Sequence, residues 1–94
     1  MINALQIGRA LTGETHTEVP IKSFMCWNAN PVTQAPETEK IVKGLMRDDL
    51  FTVSAEHFIS DTASYADIVL PASMGAEMED IILSWGHLYL TYNA

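Results

Sequence analysis

Ile21-Lys22-Ser23-Phe24-Met25-Cys26-Trp27-Asn28-Ala29-Asn30-Pro31 is the stretch on which the fold turns. Residues 21–27 form a short apolar run, the pattern of a buried strand. Two asparagines and a proline follow at once. Asn tolerates left-handed backbone, and Pro31 fixes its own φ while restricting Asn30, so the chain turns sharply as it leaves the strand. The turn is followed by a helical pattern over 38–46. Pro36 and Glu37 stand near its start, Ile41, Val42 and Leu45 make an inward stripe, and Arg47 suits the carboxyl-terminal end of the dipole. Residues 50–55 (LFTVSA) read as a second strand. Residues 56–66 are polar, with one helical turn over 62–65. Residues 67–70 (DIVL) make a third strand, which Pro71 ends. Strand, helix, strand, short helix, strand with short crossovers predicts parallel, right-handed βαβ connections. The expected fold is therefore α/β, a small piece of an open parallel sheet built from βαβ units.

Outward from this core, the chain divides into an N-terminal helix and loop (1–20), the βαβ core (21–71) and a C-terminal segment (72–94). In the first part, Ile2, Leu5, Ile7, Ala10 and Leu11 make a short helical stripe that Gly13 stops. In the last part, residues 72–80 read as loop or short helix. Residues 81–92, aromatic and apolar but interrupted by Gly86, read as irregular or as an edge strand. A three-stranded sheet is thin on its own.

Composition narrows the function. The chain has 94 residues, with 5 Lys and Arg against 12 Asp and Glu, for a net charge of −7. No basic cluster exists, which argues against nucleic acid or anionic lipid as a partner. Charged residues are only 18% of the chain, below the usual share, which points to surface that something else covers. One cysteine, Cys26, rules out an internal disulfide framework or a Cys-ligated cluster built by this chain alone. No apolar run is long enough to span a membrane. The N-terminus lacks the basic and apolar regions of a signal peptide.

In open α/β sheets ligands bind beyond the carboxyl ends of the strands. Here those ends are Asn28-Ala29-Asn30-Pro31, Ala55-Glu56-His57 and Pro71-Ala72-Ser73, all polar or small. Asn28 and Asn30 can hydrogen bond a base or phosphate, or serve the turn alone. Glu56 and Asp67 can accept from guanine or ribose, or stand as solvated charge. Asp61 and Thr62 either hold a ligand or cap the helical turn. His16, His57 and His87 lack zinc-site spacing, and Cys26 reads as a small core residue. Glu77, Glu79 and Asp80 form an acidic cluster, read as a solvated loop face before an acid–base pair. Neither GxGxxG nor GxxxxGK[ST] is present.

These residues resemble a known family. Asn28–Pro31 after a strand, Asp49-Leu50-Phe51-Thr52-Val53, and above all Phe58-Ile59-Ser60-Asp61-Thr62-Ala63-Ser64-Tyr65-Ala66-Asp67-Ile68-Val69-Leu70-Pro71 are similar to segments of the molybdopterin oxidoreductases of dimethyl-sulfoxide-reductase type, which include formate dehydrogenases, nitrate reductases and polysulfide reductases. The last stretch resembles the family's F-x-T-x-T-A-x-x-A-D-[IV]-[IV]-L-P signature. Glu77–Asp80 matches the acidic residue that follows it, and Trp85-Gly86-His87 resembles a tail of one branch. The resemblance spans Ile21 to Tyr92.

The resemblance implies a small three-layer-type βαβ piece of one of two dinucleotide-binding-like α/β domains that each hold a molybdopterin guanine dinucleotide, the two pterins clamping one Mo or W atom. On it, Asn28 and Asn30 lie by the guanine end with Thr33 or Gln34 beside them. Ala55-Glu56 and Ala72-Ser73 approach the nucleotide, and Asp61 and Thr62 shape the loop between. Ala55 departs from the Gln or His common in relatives, and Ser60 from Thr. The family's cysteine-rich cluster motif and its Ser, Cys or selenocysteine metal ligand are not in these residues, so no catalytic or metal-binding residue is assigned. The chain therefore reads as a fragment, a split gene product or an excised domain, inactive alone. Its partners would be the remaining domains of a parent oxidoreductase, with self-association as a further expectation. A cytoplasmic location is expected, or a periplasmic one if the parent carries a twin-arginine signal. Two alternatives stay open: a cofactor-free relative such as the large iron–sulfur subunit of NADH dehydrogenase, and a stand-alone interaction module.

Overall fold

In the computed structural model, which describes residues 2–15, 19–83, 86 and 88–93, the chain opens with a 3-10 turn, Ala4–Gln6, capped by the Asn3 side chain. Helix α1 (Ile7–Leu11) continues it. Gly13, at φ +79°, then stops the helix where the sequence places the stop. The Gly13 N–H donates to Ala10 C=O at 3.2 Å and the Glu14 N–H to Arg9 C=O at 2.7 Å, the paired closure of a Schellman motif.

Strand β1 is Ser23–Trp27, and the turn after it is more ordered than its composition suggests. Pro31, whose missing N–H costs nothing at a helix start, opens a single-turn helix α2 (Pro31–Gln34). Helix α3 (Thr38–Leu45) follows, then β2 (Phe51–Glu56), a 3-10 turn at Ala63–Tyr65 and β3 (Ile68–Pro71). The three strands pair in the order β1-β2-β3, both pairs parallel, with Cys26 opposite Ser54 and Ser54 opposite Val69. The expected parallel core is the observed one.

β3 begins one residue later than the pattern suggests. Asp67 is spent on the neighbouring strand instead. Its carboxylate accepts from Thr52 N–H at 2.7 Å, and its own N–H donates to Thr52 C=O at 2.9 Å.

The two faces of the sheet differ sharply. Phe24, Cys26, Thr52 and Ser54 point to one face, where Cys26, Thr52 and Ser54 are buried. Against that face packs a core of Leu11, Val32, Ile41, Leu45 and Leu50, with Phe24 and Ile7 beside it. Fully burying a side chain such as Leu11 or Ile41 stabilises the fold by about 1.5–3 kcal/mol. The other face carries Met25, Trp27, Phe51, Ile68 and Leu70, all exposed. The βαβ piece thus supplies the sheet and one helical layer.

α1 and α3 cross at two glycines. A Cβ on Gly44 would lie 2.4 Å from Leu11 Cβ, and one on Gly8 would lie 3.0 Å from Lys40 Cβ. Ion pairs surround the crossing: Arg9 to Glu37 at 2.8 Å, and Lys40 to Glu14 at 2.6 Å. Arg47 donates to the terminal carbonyl of α1, Leu11 C=O, at 2.6 Å.

The C-terminal segment is more regular than expected. After a 3-10 turn at Gly75–Glu77, strands β4 (Asp80–Leu83) and β5 (Leu90–Asn93) form an antiparallel ribbon separate from the main sheet, Ile81 facing Tyr92. Cross-strand pairing of apolar side chains overrides the interruption at Gly86. The Asn93 side-chain amide donates to Gly75 C=O, and to Met78 C=O at 2.8 Å, tying the ribbon to the turn before it. Among the described residues, no helix is long and apolar enough to cross a membrane.

Candidate functional site

At the carboxyl ends of the three parallel strands lies a cavity of about 500 Å³. β1 contributes Trp27 and Asn28, the end of β2 contributes Ala55 and His57, and the chain after β3 contributes Ala72 and Ser73; Gly75, Met78 and Asp80 close the wall. A larger concavity, about 600 Å³, is lined by Thr38, Glu39, Val42, Lys43 and Met46 of α3 and the residue after it. It gathers one element only, whereas the strand-end cavity draws residues from all three tips.

Backbone contacts fix these tips relative to one another. Asn28, in the left-handed region at φ 51°, donates its N–H to Ala55 C=O at 3.2 Å. The Ala72 N–H donates to Glu56 C=O, also at 3.2 Å. His57 spans the gap between the second and third tips. Its Nε2 lies 2.9 Å from Ser73 C=O, and because a carbonyl only accepts, that nitrogen carries the proton. Nδ1 is left 3.6 Å from the Glu56 carboxylate, which accepts the His57 backbone N–H at 2.9 Å.

Of the residues singled out in the sequence, Asn28, Ala55, Ala72 and Ser73 line the cavity. Glu56 borders it through His57. Asn30, Thr33, Gln34 and Thr62 do not line it but gather in a second cluster behind the first tip. There, Asn30 Oδ1 accepts from the Thr62 hydroxyl at 2.6 Å and from the Thr62 N–H at 3.1 Å. The Thr62 hydroxyl in turn accepts from the Val32 N–H at 3.0 Å. Gln34 Oε1 accepts from the Asn30 N–H at 3.1 Å, and Thr33 Oγ1 donates to Asn30 C=O at 3.2 Å. Asp61 is exposed, its carbonyl accepting from the Ser64 hydroxyl at 2.7 Å.

This cluster removes one kind of ligand contact. In many α/β domains the helix after the first strand offers free N–H groups to a phosphate. In α2 those groups are occupied. Pro31 has none, Val32 donates to Thr62, and Thr33 and Gln34 donate to Asn30 C=O at 3.1 and 2.9 Å. Polar contact with a ligand therefore falls to the side chains and strand-end backbone around the cavity.

Trp27, His57, Gly75, Met78 and Asp80 also line the cavity but are not among the ligand contacts that the sequence suggests. His57 belongs to the second strand tip and Asp80 to the acidic cluster, and those positions are the available signals. Gly75 and Met78 have no sequence signal that separates them from any loop residue. His16, His87 and Trp85 lie outside the described residues. Cys26 is buried, as its apolar surroundings suggest; its thiol donates to Ala29 C=O at 3.0 Å, and burial, with Glu56 nearby, pushes its pKa up. Among the described residues, no group of three or more His, Cys, Asp or Glu side chains is placed to hold a metal ion.

The fold and the position of the cavity place the chain among the open parallel α/β domains. Comparison with known proteins gives the particular family. Residues 4–88 match the model of the molybdopterin oxidoreductase family, and the chain belongs to that family. It is 44% identical over 88 residues to the probable oxidoreductase YoaE of Bacillus subtilis, a match that covers 94% of this chain and 12% of that protein. It is 41% identical over 59 residues to the assimilatory nitrate reductase catalytic subunit of the same organism, covering 63% of this chain and 8% of the relative. A probable dimethyl sulfoxide reductase chain of Escherichia coli, YnfF, shares 32% over 73 residues, covering 74% of this chain and 9% of its own. The chain thus spans about one eighth of the length of YoaE or less of the other two. No solved structure matches it.

Proposed function

We propose that this chain forms part of the cofactor-binding α/β domain of a molybdopterin oxidoreductase, and that its strand tips hold the nucleotide end of the cofactor in its guanine dinucleotide form. The observation that carries the reading is the cavity at the carboxyl ends of the three parallel strands, in a chain of this family.

The lining residues fit a nucleotide. The exposed Trp27 ring offers a stacking surface for a base. Asn28 and Ser73 supply side-chain donors and acceptors. Ala55 and Ala72 are small enough to let a ligand approach the backbone. His57 is held by Ser73 C=O at the rim, where it keeps the second and third tips together. When bound, the cofactor and its Mo or W atom supply two-electron redox chemistry, of the kind that acts on formate, nitrate or polysulfide; this chain's share is binding and orientation. The remaining domains of the parent enzyme would be its partners, and the chain alone is expected to be inactive.

The reading is tested by NMR titration of the labelled chain with GMP. A few hydrogen bonds, each worth about 0.5–1.5 kcal/mol net, give affinity in the millimolar range once association is subtracted. Shifts concentrated at residues 27–28, 55–57 and 72–73 support the assignment. Shifts elsewhere, or none at several millimolar GMP, overturn it.

A further inference from the structure

Asn30 and Thr62 both carry the family resemblance, yet their polar atoms face one another rather than the cavity. Thr62 is fully buried. An amide oxygen only accepts, so the Thr62 hydroxyl proton goes to Asn30 Oδ1, 2.6 Å away, and the lone pairs of that hydroxyl receive the Val32 N–H. Asn30 stands at the N-cap of α2, but its side chain makes no cap hydrogen bond to that helix. Thr62, contributed by the β2–β3 crossover, caps α2 in its place. The first tip and the crossover are thereby locked by three hydrogen bonds across 30 to 32 positions of sequence.

The lock matters because the tip it holds is a sharp turn with few local contacts of its own. Asn28, between Trp27 and Asn30, sits at φ 51°, in the left-handed region that asparagine tolerates. One backbone hydrogen bond to Ala55 holds it from one side, and the Asn30–Thr62 pair anchors it from the other. We propose that Thr62 is a positioning residue for the strand-end site: acting through Asn30 and α2, it holds Trp27 and Asn28 against the tips of β2 and β3 without touching the ligand. As far as a nucleotide is concerned, this rests on the function proposed above.

The test compares the wild-type chain with Thr62→Ser and Thr62→Val, read by NMR without ligand, by hydrogen exchange at the Val32 amide, and by GMP titration. Serine keeps the hydroxyl. Valine keeps the shape but leaves Asn30 Oδ1 and the Val32 N–H without that partner. Expected for Thr62→Val are displaced amide signals over 28–34, faster Val32 exchange and GMP binding weakened five-fold or more, with the 51–56 amides in place. Thr62→Ser should match the wild type within two-fold. Should Thr62→Val fail to fold, Asn30→Ala, which leaves Thr62 bonded to Val32, is expected to displace residues 28–30 and weaken GMP binding similarly. GMP affinity unchanged in a folded Thr62→Val chain, or lost equally in Thr62→Ser, overturns the proposal. Failure of the wild-type chain to bind GMP overturns the nucleotide reading instead. The ligand-free spectra then decide the positioning role: a tip displaced in Thr62→Val and restored in Thr62→Ser upholds it, and a tip identical in all three refutes it.

Discussion

Replacing Gly44 with alanine sets two well-known effects against each other at one atom. Helix propensity favours Ala over Gly in α3 by about 1 kcal/mol. Against this, the new Cβ would lie 2.4 Å from Leu11 Cβ, 3.2 Å from Leu11 C and 3.4 Å from Leu11 Cα. None of these atoms can rotate away, because all are backbone or fixed directly to it. Relief requires α1 to move off α3 by about 1 Å or more, since carbon atoms pack at about 3.5–4.0 Å. That movement loosens Leu11, Ile41 and Leu45 at the centre of the core. Overpacking of this kind typically costs about 1–3 kcal/mol, and forcing two helices apart belongs at the upper end. The expected net result is a loss of about 1–2 kcal/mol. With a urea slope of about 1–1.5 kcal/mol per molar for a chain this small, the unfolding midpoint should fall by roughly 1 M. Circular dichroism at 222 nm during urea titration measures it. Gly75→Ala, where a Cβ meets no atom within 4 Å, is the control and should leave the midpoint in place. A Gly44→Ala midpoint equal to or above the wild type would mean that α1 and α3 do not approach as described.

Three other outcomes are expected. Thr52→Val removes a buried hydroxyl that has no hydrogen-bond partner and keeps the N–H that Asp67 accepts, so stability in the same titration should hold or rise by up to about 1 kcal/mol. Acid should weaken the fold through Asp49, Glu37 and Glu14. The guanidinium of Arg47, then Lys22, holds Asp49 below its ordinary 3.8, while Arg9 and Lys40 hold Glu37 and Glu14 respectively below 4.5. Folded pKa values below unfolded ones give a contribution present above about pH 4.5 and lost as pH falls through the folded values, so thermal midpoints should drop below that pH, modestly because the pairs are exposed. The bare sheet face with Met25, Trp27 and Phe51 should bind a hydrophobic dye and drive self-association; a monomer by sedimentation at tens of micromolar with no dye signal would contradict it.

The parallel core was legible because its cues are local: apolar runs of strand length, Pro and Asn at the exits, and Gly13 at a helix end. The C-terminal ribbon was not, since Gly86 breaks the pattern that Ile81 and Tyr92 restore only when paired across the turn. Four of the ten candidate residues line the cavity because strand tips can be read from strand ends. Chemistry alone gives the Asn30 amide and the Thr62 hydroxyl the role of ligand contacts. Only their placement, 2.6 Å apart with Thr62 buried, turns them toward each other. Trp27 reads as the last residue of a strand, and nothing local shows that it also lines the cavity.

The cap that Thr62 provides for α2 also carries a consequence for the order of folding. An ordinary cap is supplied by the residue next to the helix and forms with it. This one comes from 30 positions downstream, on the crossover between β2 and β3, and should form only once β2 has paired with β1. A four-residue helix cannot nucleate alone, so α2 should set late. Substitutions at Thr62 should then speed unfolding while leaving the refolding rate almost unchanged, whereas substitutions at Ile41, in the helix that packs on both α1 and the sheet, should slow refolding. The tip that shapes the cavity would be the last part of the sheet to take form and the first to come undone.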